Sequence, residues 1–227
     1  NFISQKPCIF EYVYFLRPDS IFNGIRAQLV REKMGRLLWQ ESKVDADVVV
    51  AVPDSGNFAA SGVAEESRLP LVSALFRSHY VGRTFIEPLH ERREKGLRIK
   101  LNIIPELVSG KRVVVFDDSI VRATVIKRVI KMLREAGAKE VHVRISSPPY
   151  RHPCYYGIDT YKVGDKLIAA HKEGNIEDIK TEIGADSLAY LSLNALKSAI
   201  IEAKADGLKE NNFCDACFSG NYHISIK

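Results

Sequence analysis

Long apolar runs are missing from this sequence, and with them the membrane-spanning helix, which needs roughly 20 consecutive apolar residues. No secretory leader with a basic start and an apolar middle opens the chain. A chain of this kind is expected to be cytoplasmic, with no membrane partner. Internal repeats and low-complexity tracts are absent too. Cysteine is scarce, at four residues, and in a reducing compartment those four are not expected to form disulfides. Charge of one sign is nearly balanced by the other, for a net of +5. That excess suits an anionic ligand and gives no argument for nucleic acid. The first residue is Asn and not Met, as expected of a fragment or a processed piece. What remains is ordinary for a globular protein: 227 residues, 46% hydrophobic and 27% charged, enough for one α/β domain with a sizeable core.

The informative stretch is KRVVVFDDSIVRATVIKRVIKMLREA, residues 111–136. Val113, Val114, Val115 and Phe116 read as a buried strand. The strand ends on adjacent carboxylates, Asp117 and Asp118. After a short turn the apolar residues Val125, Ile126, Val129, Ile130, Met132 and Leu133 recur at helical spacing, and Gly137 stands where the helix would stop. In an open parallel sheet, ligands gather at the carboxyl ends of strands. A helix starting there offers unpaired N–H groups and a positive dipole end to phosphate. Two carboxylates beside it can hold sugar hydroxyls or a hydrated Mg²⁺. The pattern asks for a phosphorylated sugar.

Elsewhere, the aromatic-rich segment from Cys8 to Phe15 reads as strand-like, and Ile25 to Gln40 has a helical period. Asp47 to Val52 is a second buried-strand pattern, ending on Pro53-Asp54-Ser55-Gly56 and then the small residues Ala59, Ala60, Ser61 and Gly62. This is a second candidate phosphate cradle. Leu71 to Phe76 is a possible third strand, and residues 77–100 form a charge-dense excursion. Glu140 to Ile145 predicts another strand, halted by Pro148-Pro149. Two or three short amphipathic helices are expected within residues 165–206, then a polar tail from Gly220. Cys214-x-x-Cys217, with Cys8 and Cys154, supplies four thiolates, enough for tetrahedral zinc or a cubane cluster.

VVVFDDSIVRATV resembles the phosphoribosyl pyrophosphate (PRPP) motif of type I phosphoribosyltransferases. DDSIVR is similar, more narrowly, to the version in glutamine phosphoribosylpyrophosphate amidotransferases, the amidophosphoribosyltransferases. CIFEYVYFLRPDS (8–20), VPDSG (52–56), YVGRTFI (80–86), SPPYRHPCYYGID (147–159), IGADSLAYL (183–191) and CDACFSG (214–220) agree in the same order, so the likeness spans nearly the whole chain. It implies an α/β fold of the type I phosphoribosyltransferase class: a twisted, mostly parallel sheet flanked by helices, with a helical C-terminal tail. Residues 1–160 would form the core. Residues 161–227 would close on it through a cysteine-ligated group, and the glutaminase half would be absent.

The implied reaction displaces pyrophosphate from PRPP with ammonia to give 5-phosphoribosylamine, the first committed step of purine nucleotide synthesis. The resemblance assigns PRPP contacts to Pro53, Asp54, Ser55, Gly56, Arg83, Lys100, Asp117, Asp118, Ser119, Ile120, Val121, Arg122, Ala123, Thr124 and Val125. Asp117, Asp118 and Arg83 would carry the chemistry, with Mg²⁺ near Ser55, Asp117 and Asp118. Arg83 and Lys100 would belong to a loop that closes over the pyrophosphate. Some members of the family hold a [4Fe–4S] cluster through cysteines placed like Cys8, Cys154, Cys214 and Cys217. Ammonia would come from a glutaminase domain or subunit, and a homo-oligomer is expected.

Two positions depart from the family's DDSIVRGTT. Ala123 replaces a glycine, and Val125 removes a hydroxyl that would donate to the 5′-phosphate, a loss of about 1.5–3 kcal/mol for a bond to a charged group. Restoring Gly at 123 is expected to cost a little stability, about 0.5–1 kcal/mol of backbone entropy. These departures favour a rival reading, a non-catalytic PRPP sensor or regulatory subunit of the same fold. Transfer to a purine base is disfavoured by DDSIVR and the cysteine set.

Overall fold

The computed structural model describes residues 6–77, 101–160, 167–203 and 213–224. Its centre is a four-stranded, wholly parallel sheet in the order β3-β6-β7-β8. These strands are β3 (Val48–Ala51), β6 (Arg112–Asp117), β7 (Glu140–Ile145) and β8 (Ser187–Tyr190). Two antiparallel pairs accompany the sheet: β1 (Ile21–Phe22) with β2 (Ile25–Arg26), and β4 (Leu75–Arg77) with β5 (Leu101–Ile103). Parallel strands need covered faces, and successive side chains point to opposite ones. Val49, Val114 and Phe116 accordingly join one core, while Val48, Val50, Val113 and Val115 join the other.

The first core lies under α1 (Ala27–Glu41), α2 (Asn57–Ser67) and α6 (Leu193–Glu202). The second lies under α3 (Thr124–Glu135) and, after the short α4 (Ile168–His171), α5 (Ile176–Ile183). A last short helix, α7 (Ala216–Ser219), returns to the first core beside Phe10 and Tyr150. None of the described helices is long and apolar enough to cross a membrane.

Three local readings are corrected. The Cys8–Phe15 segment is not a strand: Glu11–Phe15 is a π-helical turn. Buried Arg31 from α1 reaches across to donate to the carbonyls of Tyr12 (2.9 Å), Tyr14 (3.1 Å) and Leu16 (2.7 Å), which have no strand partner. The third-strand expectation splits in two: Leu71 makes only a single bridge to Val49, and the strand proper begins at Leu75 in a separate ribbon. The segment expected to be helical also supplies β8, whose burial alternates Leu188 and Tyr190 inward against β7. With only four residues it carries too short a period to be read from sequence.

The small residues after Ser55 have a packing reason. A Cβ on Gly62 would strike the Glu32 carbonyl oxygen, and one on Gly35 would strike that of Ala59. The two glycines let α1 and α2 approach backbone to backbone, which brings the first turn of α2 up against the sheet. Gly62→Ala is therefore expected to destabilise the fold by about 1–3 kcal/mol, the usual overpacking range. Exposed Ser61→Ala, one residue away, should change stability by no more than about 0.5 kcal/mol. Urea unfolding of the two variants compares them, and equal midpoints would show that the helices can separate at no cost.

Candidate functional site

At the carboxyl end of the sheet, β3 and β6 stop side by side, with Ala51 paired to Phe116. The loop after β3 therefore meets the carboxylates after β6. Ser55 Oγ donates to Asp117 Oδ1 at 2.8 Å, closing a gap of 62 residues in sequence. Gly56 stands behind the loop, where a Cβ would strike the Phe116 carbonyl oxygen. Its N–H donates to Val52 at 2.8 Å. The Pro53-Asp54 peptide is cis.

Asp117 and Asp118 are 6% and 5% exposed. Asp117 Oδ1 also accepts from the Asp118 N–H at 2.9 Å, and Asp118 Oδ1 accepts from Ser119 Oγ at 2.6 Å. Asp118 Oδ2 is buried with no hydrogen-bond partner. Burial pushes both carboxyls well above the usual carboxylate range, and repulsion from Asp118 adds to the shift at Asp117. Two cations oppose it. Buried Arg31 faces Asp118, and Arg77 acts on Asp117. Arg77 is held above the second loop by its bond to the Pro53 carbonyl (3.1 Å) and its ion pair with Asp54 (3.7 Å). A crowded acidic pair with a bare oxygen is suited to ligands that bring hydroxyl donors or a hard cation.

The turn from Ser119 leads to α3, whose first residue is Thr124. No side chain caps this helix. Its leading N–H groups and the positive end of its dipole open onto the same cleft as the carboxylates. Ala123 holds φ +60° and ψ 0°, a left-handed conformation that costs an alanine about 1–2 kcal/mol. The expectation that glycine at 123 would lose stability is thereby reversed, since glycine would relieve this backbone. Val125 is 58% exposed and lines the cleft.

Together these elements enclose a cleft of about 960 Å³. Pro53, Asp54, Ser55 and every residue from Asp117 to Val125 line it. Ile120 and Ala123 are otherwise buried in the second core. Arg83 and Lys100 lie outside the described residues. Sequence reasoning passed over Arg77, Tyr14, Phe15, Tyr150 and Thr160, all in the lining. Arg77 was hidden at the edge of a charge-dense stretch, Tyr150 lies within the motif SPPYRHPCYYGID, and Thr160 directly follows it. Arg31 gave no signal, because its carbonyl partners are defined only by the fold.

The four cysteines come from three distant segments. Cys8 and Cys214 form a parallel bridge, with Ile9 N–H donating to the Cys214 carbonyl (3.0 Å) and Cys214 N–H to the Pro7 carbonyl (2.9 Å). Arg151 and His152 both donate to the Cys217 carbonyl at 3.0 Å. Each of the six thiol pairs interacts electrostatically. Burial is the main cause that raises Cys8, to about 11, and that also raises Cys214 and Cys217. Backbone N–H groups point at all four sulfurs: Phe10 and Glu11 at Cys8, Ala216 at Cys214, Tyr156 and Ile158 at Cys154, and the Cys217 N–H at its own sulfur. Among the described residues, no three His, Cys, Asp or Glu side chains are grouped closely enough to hold a metal ion. All four thiols are free.

No protein-family model matches the chain. It is 54% identical over 215 residues to the amidophosphoribosyltransferase of Pyrococcus horikoshii, covering 95% of this chain and 45% of that protein. Against the amidophosphoribosyltransferase of Archaeoglobus fulgidus it is 50% identical over 219 residues, 96% of this chain and 46% of that one. Among solved structures it superposes, with a TM-score of 0.87 at 48% identity, on the glutamine phosphoribosylpyrophosphate (PRPP) amidotransferase from B. subtilis complexed with ADP and GMP. That match covers 99% of this chain and 48% of the other. The chain thus spans about half the length of the relatives it matches. With its parallel sheet, two βα turns meeting in one cleft, and this likeness along nearly its whole length, the chain has the type I phosphoribosyltransferase fold and is a homologue of one half of the amidophosphoribosyltransferases.

Proposed function

We propose that the cleft binds PRPP and that ammonia displaces its pyrophosphate to give 5-phosphoribosylamine, the first committed step of purine nucleotide synthesis. The observation that carries this reading is the meeting, in one cleft, of the Ser55–Asp117 pair with the uncapped start of α3. Backbone N–H groups from Ser119 to Val125 would receive the 5′-phosphate, assisted by Ser119 and Thr124. Pro53 to Gly56 would receive the pyrophosphate, with Arg77 alongside. Arg83 and Lys100 keep, by sequence likeness, the role of closing over it. Asp117 and Asp118 would orient the ribose hydroxyls and stabilise positive charge as the glycosidic bond loosens. The bare Asp118 oxygen and the Ser55–Asp117 pair fit a hydrated divalent cation. A Mg²⁺ held by these residues would supply charge neutralisation for the departing pyrophosphate. Neutral ammonia needs no general base. Tyr14 and Phe15, about half exposed on the cleft wall, would keep water from the reactive ribose.

The same reading takes ammonia from a glutaminase domain or subunit, in a homo-oligomeric protein, and keeps the division into a core (1–160) and a tail (161–227). It assigns a [4Fe–4S] cluster to Cys8, Cys154, Cys214 and Cys217. What supports this is the likeness in placement of the four cysteines to the family's cluster ligands, together with the Tyr156 and Ile158 N–H groups directed at the Cys154 sulfur. Such a cluster would pin residues 214–217 to the start of the chain and need take no part in the chemistry.

Ammonia-dependent release of pyrophosphate tests the core of the proposal. Asp117→Asn is expected to lower turnover by about 10²-fold or more. It should also raise stability, and the sign follows from burial. The folded-state pKa of Asp117 lies above its value of 3.8 in an unfolded chain, so the charged side chain opposes folding increasingly as pH rises past that value. The gain in urea midpoint for the Asn variant should therefore be large at pH 8 and vanish near pH 3. Unchanged turnover would remove Asp117 from the reaction.

Restoring Gly at 123 and Thr at 125 distinguishes a weakened enzyme from a retired sensor, the second reading that the left-handed Ala123 favours. For an enzyme, KM for PRPP should fall about 10- to 100-fold through the recovered donor, and stability should rise as the Ala123 backbone relaxes. A sensor would bind PRPP more tightly in calorimetry and still release no pyrophosphate. Protein purified without oxygen should carry about four iron and four sulfide per chain. One zinc and no sulfide would refute the cluster.

A further inference from the structure

Resting on the reading of the cleft as a PRPP site, we propose that Arg31 is a positioning residue that sets how the reacting ribose divides between ammonia and water. Arg31 does not line the cleft, but its partners include residues that do, Tyr14 and Asp118. It is buried. On one side Nε donates to the Tyr12 carbonyl at 2.9 Å, and Nη2 donates to those of Tyr14 at 3.1 Å and Leu16 at 2.7 Å. The last two residues flank Phe15, so a single nitrogen fixes the backbone before and after that ring. On the other side lies the charge of Asp118.

Phe15 and Tyr14 are 49% and 53% exposed. Burial alone is too slight to hold such rings, so their place on the cleft wall follows from the backbone that carries them. That backbone has other ties. The Phe10 ring packs 5.7 Å from Phe15 and 6.3 Å from Tyr14. The Leu16 N–H closes the turn on the Glu11 carbonyl at 3.0 Å, and the Tyr12 hydroxyl donates to the Phe22 carbonyl at 2.8 Å. These wind the turn and tie its start to the β1–β2 ribbon. Arg31 adds a different link, from the Tyr14–Leu16 backbone to α1, which packs backbone to backbone on α2 at Gly35 and Gly62. A planar fork of donors serves three carbonyls at once, and the point charge of a lysine does not.

The choice of nucleophile is made at C1 of the ribose. As its bond to pyrophosphate breaks, the electron pair leaves with pyrophosphate. Ammonia then donates its lone pair to form a C–N bond and loses a proton to solvent, giving 5-phosphoribosylamine. Water competes by the same route, forming a C–O bond, losing a proton and giving ribose 5-phosphate. Either route releases pyrophosphate. A Phe15 ring held in place keeps water from C1, and a ring on a loosened turn admits it.

Pyrophosphate release from PRPP and Mg²⁺ is measured with and without ammonium, less the protein-free blank, and the ratio of the two rates is the readout. Both rates come from the folded fraction of one sample, so a merely structural role leaves the ratio unchanged. Arg31→Lys keeps a positive charge facing Asp118 and loses the fork, and the ratio is expected to fall about tenfold. Phe15→Ala should lower it as much. The double variant should fall no further than Phe15→Ala alone, because Arg31 acts through that ring. Tyr12→Phe cuts the tie to Phe22 and spares the bonds to Tyr14 and Leu16, so its ratio should stay within about twofold of wild type. An unchanged ratio in Arg31→Lys or in Phe15→Ala, or full additivity in the double variant, would overturn the proposal. The Phe15→Ala arm decides it even where Arg31→Lys does not fold. Wild type that binds PRPP in calorimetry and releases no pyrophosphate under either condition would also overturn it, and would leave the PRPP cleft standing. Absence of PRPP binding would refute the reading of the cleft itself.

Discussion

Two adjacent carboxylates are held in an interior where burial and mutual repulsion both oppose their charge, and much of the architecture serves to keep them there. The β3–β6 pairing sets Ser55 against Asp117. Gly56 allows the loop to lie on the Phe116 carbonyl. Arg31 supplies a buried positive charge facing Asp118 while its guanidinium is anchored to three carbonyls of the aromatic turn. Removing any of these would leave a charged pair with fewer bonds and no less burial. A site of this kind is unfavourable for the empty protein and becomes favourable only with a ligand that satisfies it.

The same economy appears in how helices are used. The start of α3 lacks a capping side chain, which in an ordinary surface helix would forfeit about 1 kcal/mol. Here the uncapped N–H groups open onto a cleft. The left-handed Ala123 just before them lets the turn present its backbone to the cleft, where a glycine would do so without strain. By contrast α5 begins on Asn175, whose side chain accepts from Glu177 and Asp178 N–H groups, and that helix start lines no part of the cleft.

Aromatic packing joins the cleft residues Phe10 and Tyr150 to Phe218 near the C-terminal end. Phe10, Tyr150 and Phe218 meet at ring separations of 5.4–6.1 Å. The Lys197–Asp215 ion pair, with side chains only 18% and 14% exposed, holds α6 to the cysteine-bearing segment. Phe213, Cys217 and Phe218 thus pack into the first core.

The sequence by itself determined the elements whose signal is local. The Val113–Phe116 run, the period of α3 and the Asp117-Asp118 pair were readable because strand burial, helical spacing and strand-end carboxylates are properties of a few neighbouring residues. The ordered motifs, from PDSG to CDACFSG, carried the likeness to amidophosphoribosyltransferases for the same reason. Tertiary structure alone decided what depends on distant partners. The Cys8–Phe15 segment became a π-helical turn because Arg31, far along the chain, takes up its carbonyls. Ser187–Tyr190 became a strand because β7 offered an open edge. Ala123 proved to be strained because the turn into α3 demands a positive φ, which composition does not encode. Tyr150 and Thr160 entered the cleft through contacts with Phe10, Cys154 and Phe218, and no spacing rule connects residues brought together from three parts of the chain.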